Sequence, residues 1–502
     1  MKDNFAIVSE KYKKNLEERL ENNNEESIRP LFAATNTDYS LSEKTRAISC
    51  GGIGLVDKLV KSIDLPKMID EKIRLLRRHK PYFESDHILN MAYNIICGGT
   101  CLEDIELLRN NISYMDAIGA GRIPDPTTAG DFLRRFEEED IRKLMDVFNE
   151  ANTIIWEKAL NNENRKYCIL DVDGKIQSTY GECKEGMDIS YKGDWGFSTL
   201  AITEATTGAH LYVVNRPGNA LSQEGSDKWI DRSIETVKTT FDTVYLRGDS
   251  AFSLTWKFDE WNDQKVKFIF GYDAFPNLVK KADLLGKNAW EKFSKPKKRS
   301  ERTRKKKQRV KEASVIRREY KNIIEKDLYV SEFKYKPVKC DKEYRVIVLK
   351  KIIEVKQGQQ LLFEDVRYFF YITNIHDMSA SNLVRFIRGR CNHENRIEQL
   401  ANGIHALKMP AAEFLANWAY MVICSLAWNI KSWLGLLMVD RVKGETLIRS
   451  EFRNFQNKII QIPCQVLTTG RKIIFRYLNY NSWIENSYAT FRNLKDMKFS
   501  TA

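Results

Sequence analysis

Two short apolar runs, each ending in an acidic residue, constrain this chain more than any other feature. Residues 167–173 read Tyr-Cys-Ile-Leu-Asp-Val-Asp, and residues 243–249 read Thr-Val-Tyr-Leu-Arg-Gly-Asp. Each run has the length of a buried strand and is too short for a buried helix. Similar runs at 197–203, 209–214 and 267–272 predict three further strands. Helical patterns fill 226–240 and the region around 253–263. The order strand–strand–strand–helix–strand–helix–strand predicts a mixed α/β core.

The flanking texture differs. Residues 1–45 are polar and read as a loosely ordered arm, and 46–165 as an all-helical region of a size usual for DNA binding or dimerisation. The first part of the core then spans 166–285. Residues 286–375 form a basic, strand-rich insertion, with strands expected at 328–336, 344–353 and 367–374. Residues 376–440 return to helix over 379–405 and continue through the apolar stretch Leu415 to Val439. That stretch contains Asn417, Asn429 and Lys431, which suits a buried core helix better than a membrane span. Residues 441–502 read as a C-terminal helical region.

Charge and cysteine usage narrow the function. Lys and Arg number 81 against 68 Asp and Glu, a formal net charge of +13. That surplus suits a polyanionic partner, because neutralising phosphates releases condensed counterions. Eleven of the 17 residues in 295–311, Lys305, Lys306 and Lys307 among them, are basic. The run suits DNA contact better than a merely solvated face. Nine scattered cysteines without a CxxC pair argue against a disulfide framework or a zinc knuckle and fit a reducing cytoplasm. The charged first 20 residues lack the apolar segment of a signal peptide.

The chemistry is expected at the acids. Asp171 and Asp173 lie two apart on a strand and so project from one face. Asp249 ends a second strand, and strand ends are where open α/β sheets place their chemistry. Convergent carboxylates repel one another, and a divalent cation with a preference for hard oxygen ligands, Mg2+ or Mn2+, offsets that repulsion. Glu394 lies in the helical pattern Phe-Ile-Arg-Gly-Arg-Cys-Asn-His-Glu, with Ile387, Cys391 and Glu398 near the same face. Two strand-end aspartates and a helical glutamate suit two metal ions and in-line attack on a DNA phosphodiester. By spacing alone the three acids read more readily as caps, turn formers or solvated side chains. Paired carboxylates also occur in glycoside hydrolases, a reading that the basic surplus disfavours.

The motifs separate these readings. Ile-Leu-Asp-Val-Asp-Gly-Lys (169–175), Arg-Gly-Asp-Ser-Ala-Phe (247–252) and Arg-Gly-Arg-Cys-Asn-His-Glu-Asn-Arg-Ile-Glu-Gln-Leu-Ala-Asn-Gly (388–403) occur in that order. Together they resemble the DDE transposases of bacterial insertion sequences, in particular the group with a β-rich insertion before the Glu and a Tyr-Arg-Glu-Lys signature around it. The 144 residues between Asp249 and Glu394 fit such an insertion. The segments 51–59, 96–109, 123–136 and 215–226 resemble the same proteins, so the likeness runs from about residue 50 to about 435.

The resemblance implies an RNase H-like mixed-sheet core, flanked by the helical N-terminal region and C-terminal helices. It implies Asp173, Asp249 and Glu394 as catalytic residues and ligands of two Mg2+ or Mn2+ ions, with Asp171 as the second choice for the first acid. It implies Arg390 as a contact to DNA phosphate, and Arg388, Arg396 or Lys408 as further contacts. Ile387 and Ala401 stand where the signature has Tyr and Lys, and Lys175 where a Thr is common. The activity implied is binding of terminal inverted repeats, cleavage, and joining to target DNA by a homodimer in the bacterial cytoplasm, nucleoid-associated when on DNA, with no membrane partner. A weakened derivative that binds DNA without cutting is the alternative. Arg247, two before Asp249 on the same strand, is expected to lie near the site or to pair with one of its acids.

Overall fold

The computed structural model describes residues 2–21, 36–77, 79, 81–179, 181, 183–294, 317–318, 321–357, 360–389, 391–470 and 472–499. At 2–4, 321–322 and 391–395 it describes the backbone. Strands are numbered in chain order: β1 Ala47–Ile48, β2 Tyr167–Ser178, β3 Asp188–Ile189, β4 Trp195–Glu204, β5 His210–Val214, β6 Thr243–Gly248, β7 Lys267–Tyr272, β8 Glu291–Lys292, β9 Lys321–Tyr335, β10 Tyr344–Gln357, β11 Gln360–Thr373, β12 Cys464–Thr469 and β13 Lys472–Tyr477. The chain divides into two compact units, one of residues 1–165, 175–220 and 395–502, the other of residues 166–174 and 221–394.

The first unit is mainly helical and is organised on one helix, Phe414–Leu437, buried over nearly its whole length. By length and composition this helix could cross a membrane, but its apolar window is wholly buried. Its polar residues are committed inside the unit. Asn429 acts as a substitute strand neighbour for β5, accepting from the His210 N–H at 2.8 Å and donating to the His210 carbonyl at 3.0 Å. The Trp418 and Trp428 indoles donate to the carbonyls of Val213 and Gly208 at 2.8 and 2.7 Å. Lys431 donates to the carbonyls of Ile448 and Ser450, groups at the end of the helix Arg441–Arg449 that would otherwise be orphaned. Burial pushes this ammonium well below its ordinary pKa, and the nearby Arg396 charge adds to the shift. The apolar stretch 415–439 is thus a core helix, as its interspersed polar residues predict.

Two parts of this unit differ from the sequence reading. The polar arm contains a helix, Lys2–Glu21. The C-terminal segment is not helical throughout: β12 and β13 form a hairpin that pairs with β1. Gly470 turns the hairpin at φ +55°, and the run Lys-Ile-Ile-Phe-Arg-Tyr that follows favours strand.

The second unit holds a mixed sheet in the order β2–β6–β7–β11–β10–β9–β8. β2, β6 and β7 run parallel to their neighbours in this trio, and the remaining pairs are antiparallel. The helix Ser226–Lys238 precedes β6, and Phe258–Asp263 joins β6 to β7, as parallel strands require a crossover. Phe258 stacks on Phe268 with ring centres 4.5 Å apart, and Trp261 lies 5.9 Å from Phe270. The expected insertion is a meander of three long strands, β9 to β11. Its inner half packs with the helix Ala380–Arg388: Val330, Ile347, Leu349, Leu383, Val384 and Ile387 belong to one buried cluster. The helix expected over 379–405 is two helices, Ala380–Arg388 and Cys391–Asn402, the first ending at Gly389.

Candidate active site

The parallel ladder between β2 and β6 positions the acids. Its register runs from Tyr167 opposite Thr243 to Asp171 opposite Arg247. Asp173 lies two residues beyond this last pair on β2, and Asp249 two residues beyond it, just past the end of β6.

Asp171 is buried, with 1 % of its surface exposed. Its two oxygens accept from Arg247 Nε at 2.7 Å and Nη2 at 2.8 Å. A carboxylate held in a two-point fork by a buried guanidinium is charge-neutralised and has little left to offer a cation. The expectation that Arg247 pairs with one of the acids holds, and the acid is Asp171. The third arm of the guanidinium, Nη1, donates to the Phe386 carbonyl at 2.7 Å, and the group lies 4.8 Å from the centre of the Phe386 ring. Arg247 therefore ties the end of β6 to the helix Ala380–Arg388, and so to the segment that leads into the Glu394 helix.

Asp173 is half-buried, and its Oδ1 accepts from the Gly174 N–H at 2.8 Å. Asp249 is half-buried too, and caps the tight turn Ser250–Phe252, its Oδ1 accepting from the Ala251 N–H at 3.0 Å. Phe252 anchors that turn in the core. Gly271 of β7 lies beneath it, where a Cβ would sit 2.8 Å from the Ser250 nitrogen, so any larger residue would lift the turn. Among the described residues no cation forms an ion pair with Asp249. Asp249 opens instead on a cavity of about 440 Å³. Ser250, Tyr272, Tyr368, Phe370, Ile387 and Arg388 are among its lining residues.

Glu394 lies one turn into the helix Cys391–Asn402, and its side chain, with that of Cys391, is outside the described residues. Arg390 and the lysines 305–307 lie outside them as well. Among the described residues no group of three or more His, Cys, Asp or Glu is arranged to hold a metal ion.

The other basic residues part company. Arg388 stays at the cavity rim, its guanidinium 5.2 Å from the centre of the Phe293 ring. Lys408 is exposed. Arg396, expected as a phosphate contact, is instead nine-tenths buried and donates to the Ala205 carbonyl. A phosphate contact needs an accessible head group, which this residue lacks. Ile387, at the signature Tyr position, is 6 % exposed and belongs to the buried cluster that anchors its helix. The sequence reading missed the cavity-lining aromatics Tyr272, Tyr368 and Phe370. Their alternation in β7 and β11 was visible, but the pairing of those strands was not.

A mixed sheet with a carboxylate at the end of an inner parallel strand, opening on an aromatic cavity, defines an α/β protein with a site suited to hard cations or basic ligands. The chain belongs to the family Transposase DDE domain group 1, whose model matches residues 43–498. By family it is a transposase. No curated protein matches it. Among solved structures it is similar to the piggyBac transposase in a synaptic complex with hairpin DNA, with a TM-score of 0.37 and 10 % identity over 93 % of this chain and 86 % of that one.

Proposed function

We propose that the chain is a DDE transposase of a bacterial insertion sequence, with an RNase H-like core, that cuts and joins DNA at the carboxylates of Asp173, Asp249 and Glu394. The observation that carries this reading is the unequal treatment of the acids around β2 and β6. Asp171 is consumed by Arg247, whereas Asp249 opens on a cavity, and Asp173 lies half-buried two residues beyond Asp171 on β2.

The donor set is of carboxylate oxygens, which fits Mg2+ or Mn2+ and excludes a thiolate or imidazole site. Asp173, Asp249 and Glu394 would hold the two ions, which supply Lewis-acid activation of the attacking oxygen and charge stabilisation of the leaving one. The protein's own groups position. The Asp249 turn, seated on Gly271, fixes one carboxylate. Arg247 fixes the helix that leads to another. Arg388 presents a fork of donors at the cavity rim, and Arg390 and the basic run 295–311, with Lys305, Lys306 and Lys307, are assigned to DNA phosphate. The DNA partners are the element's terminal inverted repeats and the target, engaged by a homodimer in the bacterial cytoplasm.

The test is Mg2+-dependent cleavage of the inverted repeats that flank the reading frame, with Asp173→Ala, Asp249→Ala and Glu394→Ala as controls. Cleavage by the parent and by none of the three is expected. If all three variants cut as well as the parent, the assignment fails. Repeat binding without cleavage by the parent identifies instead a derivative that binds DNA only, the reading that Ile387 and Ala401 at the signature positions favour.

A further inference from the structure

The helical unit holds a cavity of about 510 Å³ built wholly from residues 76–135. Local sequence sets its walls. Glu84, fully buried, accepts from the Leu75 and Leu76 N–H groups at 2.9 Å each and so holds the loop that leads to Arg77. The helix Glu84–Cys97 carries His87. The helix Pro126–Leu133, capped by Asp125 accepting from the Thr128 N–H at 2.8 Å, carries Phe132, and Arg135 follows it. His87 and Phe132 form a buried floor, Tyr82 a half-buried wall, and Arg77 and Arg135 an exposed rim.

Two observations point to a ligand. The first is the His87 imidazole, which is 4 % exposed and whose Nδ1 makes no hydrogen bond with any described residue. Buried polar groups in native interiors are nearly always partnered. The second is free positive charge. Among the described residues neither Arg77 nor Arg135 forms an ion pair, and Asp131, the carboxylate on the rim, is taken by Arg134 at 2.9 Å. A further guanidinium, that of Arg122, lies 5.6 Å from the centre of the Tyr82 ring.

The rim and the floor suit different groups. Guanidinium forks match phosphate oxygens. On the floor, burial lowers the His87 pKa to about 4, the Glu84 charge opposing and the Arg135 charge adding, so the ring is neutral and offers one donor and one acceptor. A neutral imidazole among apolar walls suits an uncharged planar group that hydrogen-bonds along its edge. We propose that this cavity binds a nucleotide, with its phosphate on Arg77 and Arg135 and the edge of its base on His87. A free nucleotide and one unstacked from a DNA strand present the same groups. The site shares no residue with the carboxylates assigned to cutting, so the proposal does not rest on the catalytic reading, and its test reads no cleavage.

The experiment is isothermal titration calorimetry on the full-length protein, with circular dichroism to confirm that each variant is folded. The probes are the four deoxynucleoside 5′-monophosphates, inorganic phosphate, and a short single-stranded oligonucleotide beside its duplex. A monophosphate or the single strand is expected to bind about tenfold more tightly than inorganic phosphate. Arg77→Ala and Arg135→Ala should each weaken that binding about tenfold. His87→Phe, which keeps a ring and removes its nitrogens, should do the same. Arg449→Ala, at an exposed arginine outside the cavity, should leave it unchanged. Single-strand binding that the three cavity variants weaken makes the ligand a nucleotide of DNA, and binding confined to the monophosphates makes it a free one. Inorganic phosphate that binds as tightly as every other probe overturns the proposal. So do cavity variants that bind like the parent, or an Arg449→Ala variant weakened as much as they are. Cavity variants that weaken duplex binding as much as nucleotide binding show a phosphate contact alone and overturn it too.

Discussion

Arg247 grips Asp171 by two hydrogen bonds of 2.7 and 2.8 Å, with both side chains out of water. The pair joins β6 to β2 one step before the acids assigned to catalysis. Removing one partner leaves the other's charge buried and uncompensated, which costs about 3–5 kcal/mol. Asp171→Asn and Arg247→Ala should therefore each lower the unfolding free energy by that amount in a denaturant titration. Asp173→Asn should cost less, since Asp173 is only half-buried and an asparagine oxygen can still accept from the Gly174 N–H. Equal stability losses at 171 and 173 would show that both acids are structural.

Gly389 gives a second handle on the same pair. A Cβ there would lie 3.0 Å from Arg247 Nη1 and 3.1 Å from the Phe386 carbonyl. The backbone at Gly389 has ordinary helical angles, so alanine is opposed by these contacts and not by backbone strain. The guanidinium has nowhere to go while Asp171 holds it. Gly389→Ala should cost about 1–3 kcal/mol, the usual range for overfilling a packed site. On an Arg247→Ala background most of that cost should vanish, since the two changes share one contact. Additive losses in the double-mutant cycle would place the strain elsewhere.

What the sequence discloses follows the range of the interaction. β7 was legible to the residue, because Lys-Phe-Ile-Phe-Gly-Tyr is bounded on both sides by polar turns. The core helix at 414–437 was legible from its length and composition. The reach of β9 and β11 was not: β11 begins at Gln360, seven residues before the expected 367, because its outer half is held by pairing with β10 and not by its own apolar pattern. At the site, strand spacing alone left Asp171 and Asp173 equivalent. Which of them Arg247 would engage depends on the register of two strands separated by 76 positions, and register is a tertiary property. Arg396 misled for the same reason. Its place in a helix next to Glu394 suggested a DNA contact, while burial decided otherwise.

His87 makes a pH prediction. It is buried face to face with Phe132, ring centres 4.3 Å apart, and edge-on to Tyr82 at 5.5 Å. Desolvation is the largest cause in lowering its pKa to about 4; the Glu84 charge opposes the shift and the Arg135 charge adds to it. The folded state therefore binds fewer protons than the unfolded one between the two pKa values. Stability from this group is complete above the ordinary value of 6.5 and falls as pH drops toward 4. The loss amounts to about 3 kcal/mol at one pH unit per 1.36 kcal/mol. Other groups titrate in the same window, so the measurement is a comparison. Between pH 7 and pH 4.5 the unfolding midpoint of His87→Phe should fall less than that of the parent, and parallel falls would remove His87 as the cause.

Metal binding separates the assigned acids from their neighbours without any cleavage assay. A ligand that binds only the folded state at a hundred times its Kd adds about 2.7 kcal/mol of stability. Mn2+ or Mg2+ should therefore raise the melting temperature of the parent. Asp249→Asn is the informative variant, because an asparagine oxygen can still accept from the Ala251 N–H and preserve the turn that Asp249 now caps. The variant should melt like the parent in the absence of metal and respond little to its addition. Asp173→Asn and Glu394→Gln should behave likewise, and each should lose the several kcal/mol of transition-state stabilisation that a bound cation gives, roughly a thousandfold in cleavage rate. Lys408→Ala, at an exposed residue, should keep the full metal response. If Asp249→Asn kept the parent's metal-induced shift, the cation would have to sit elsewhere, and the cavity beside Asp249 would need another occupant.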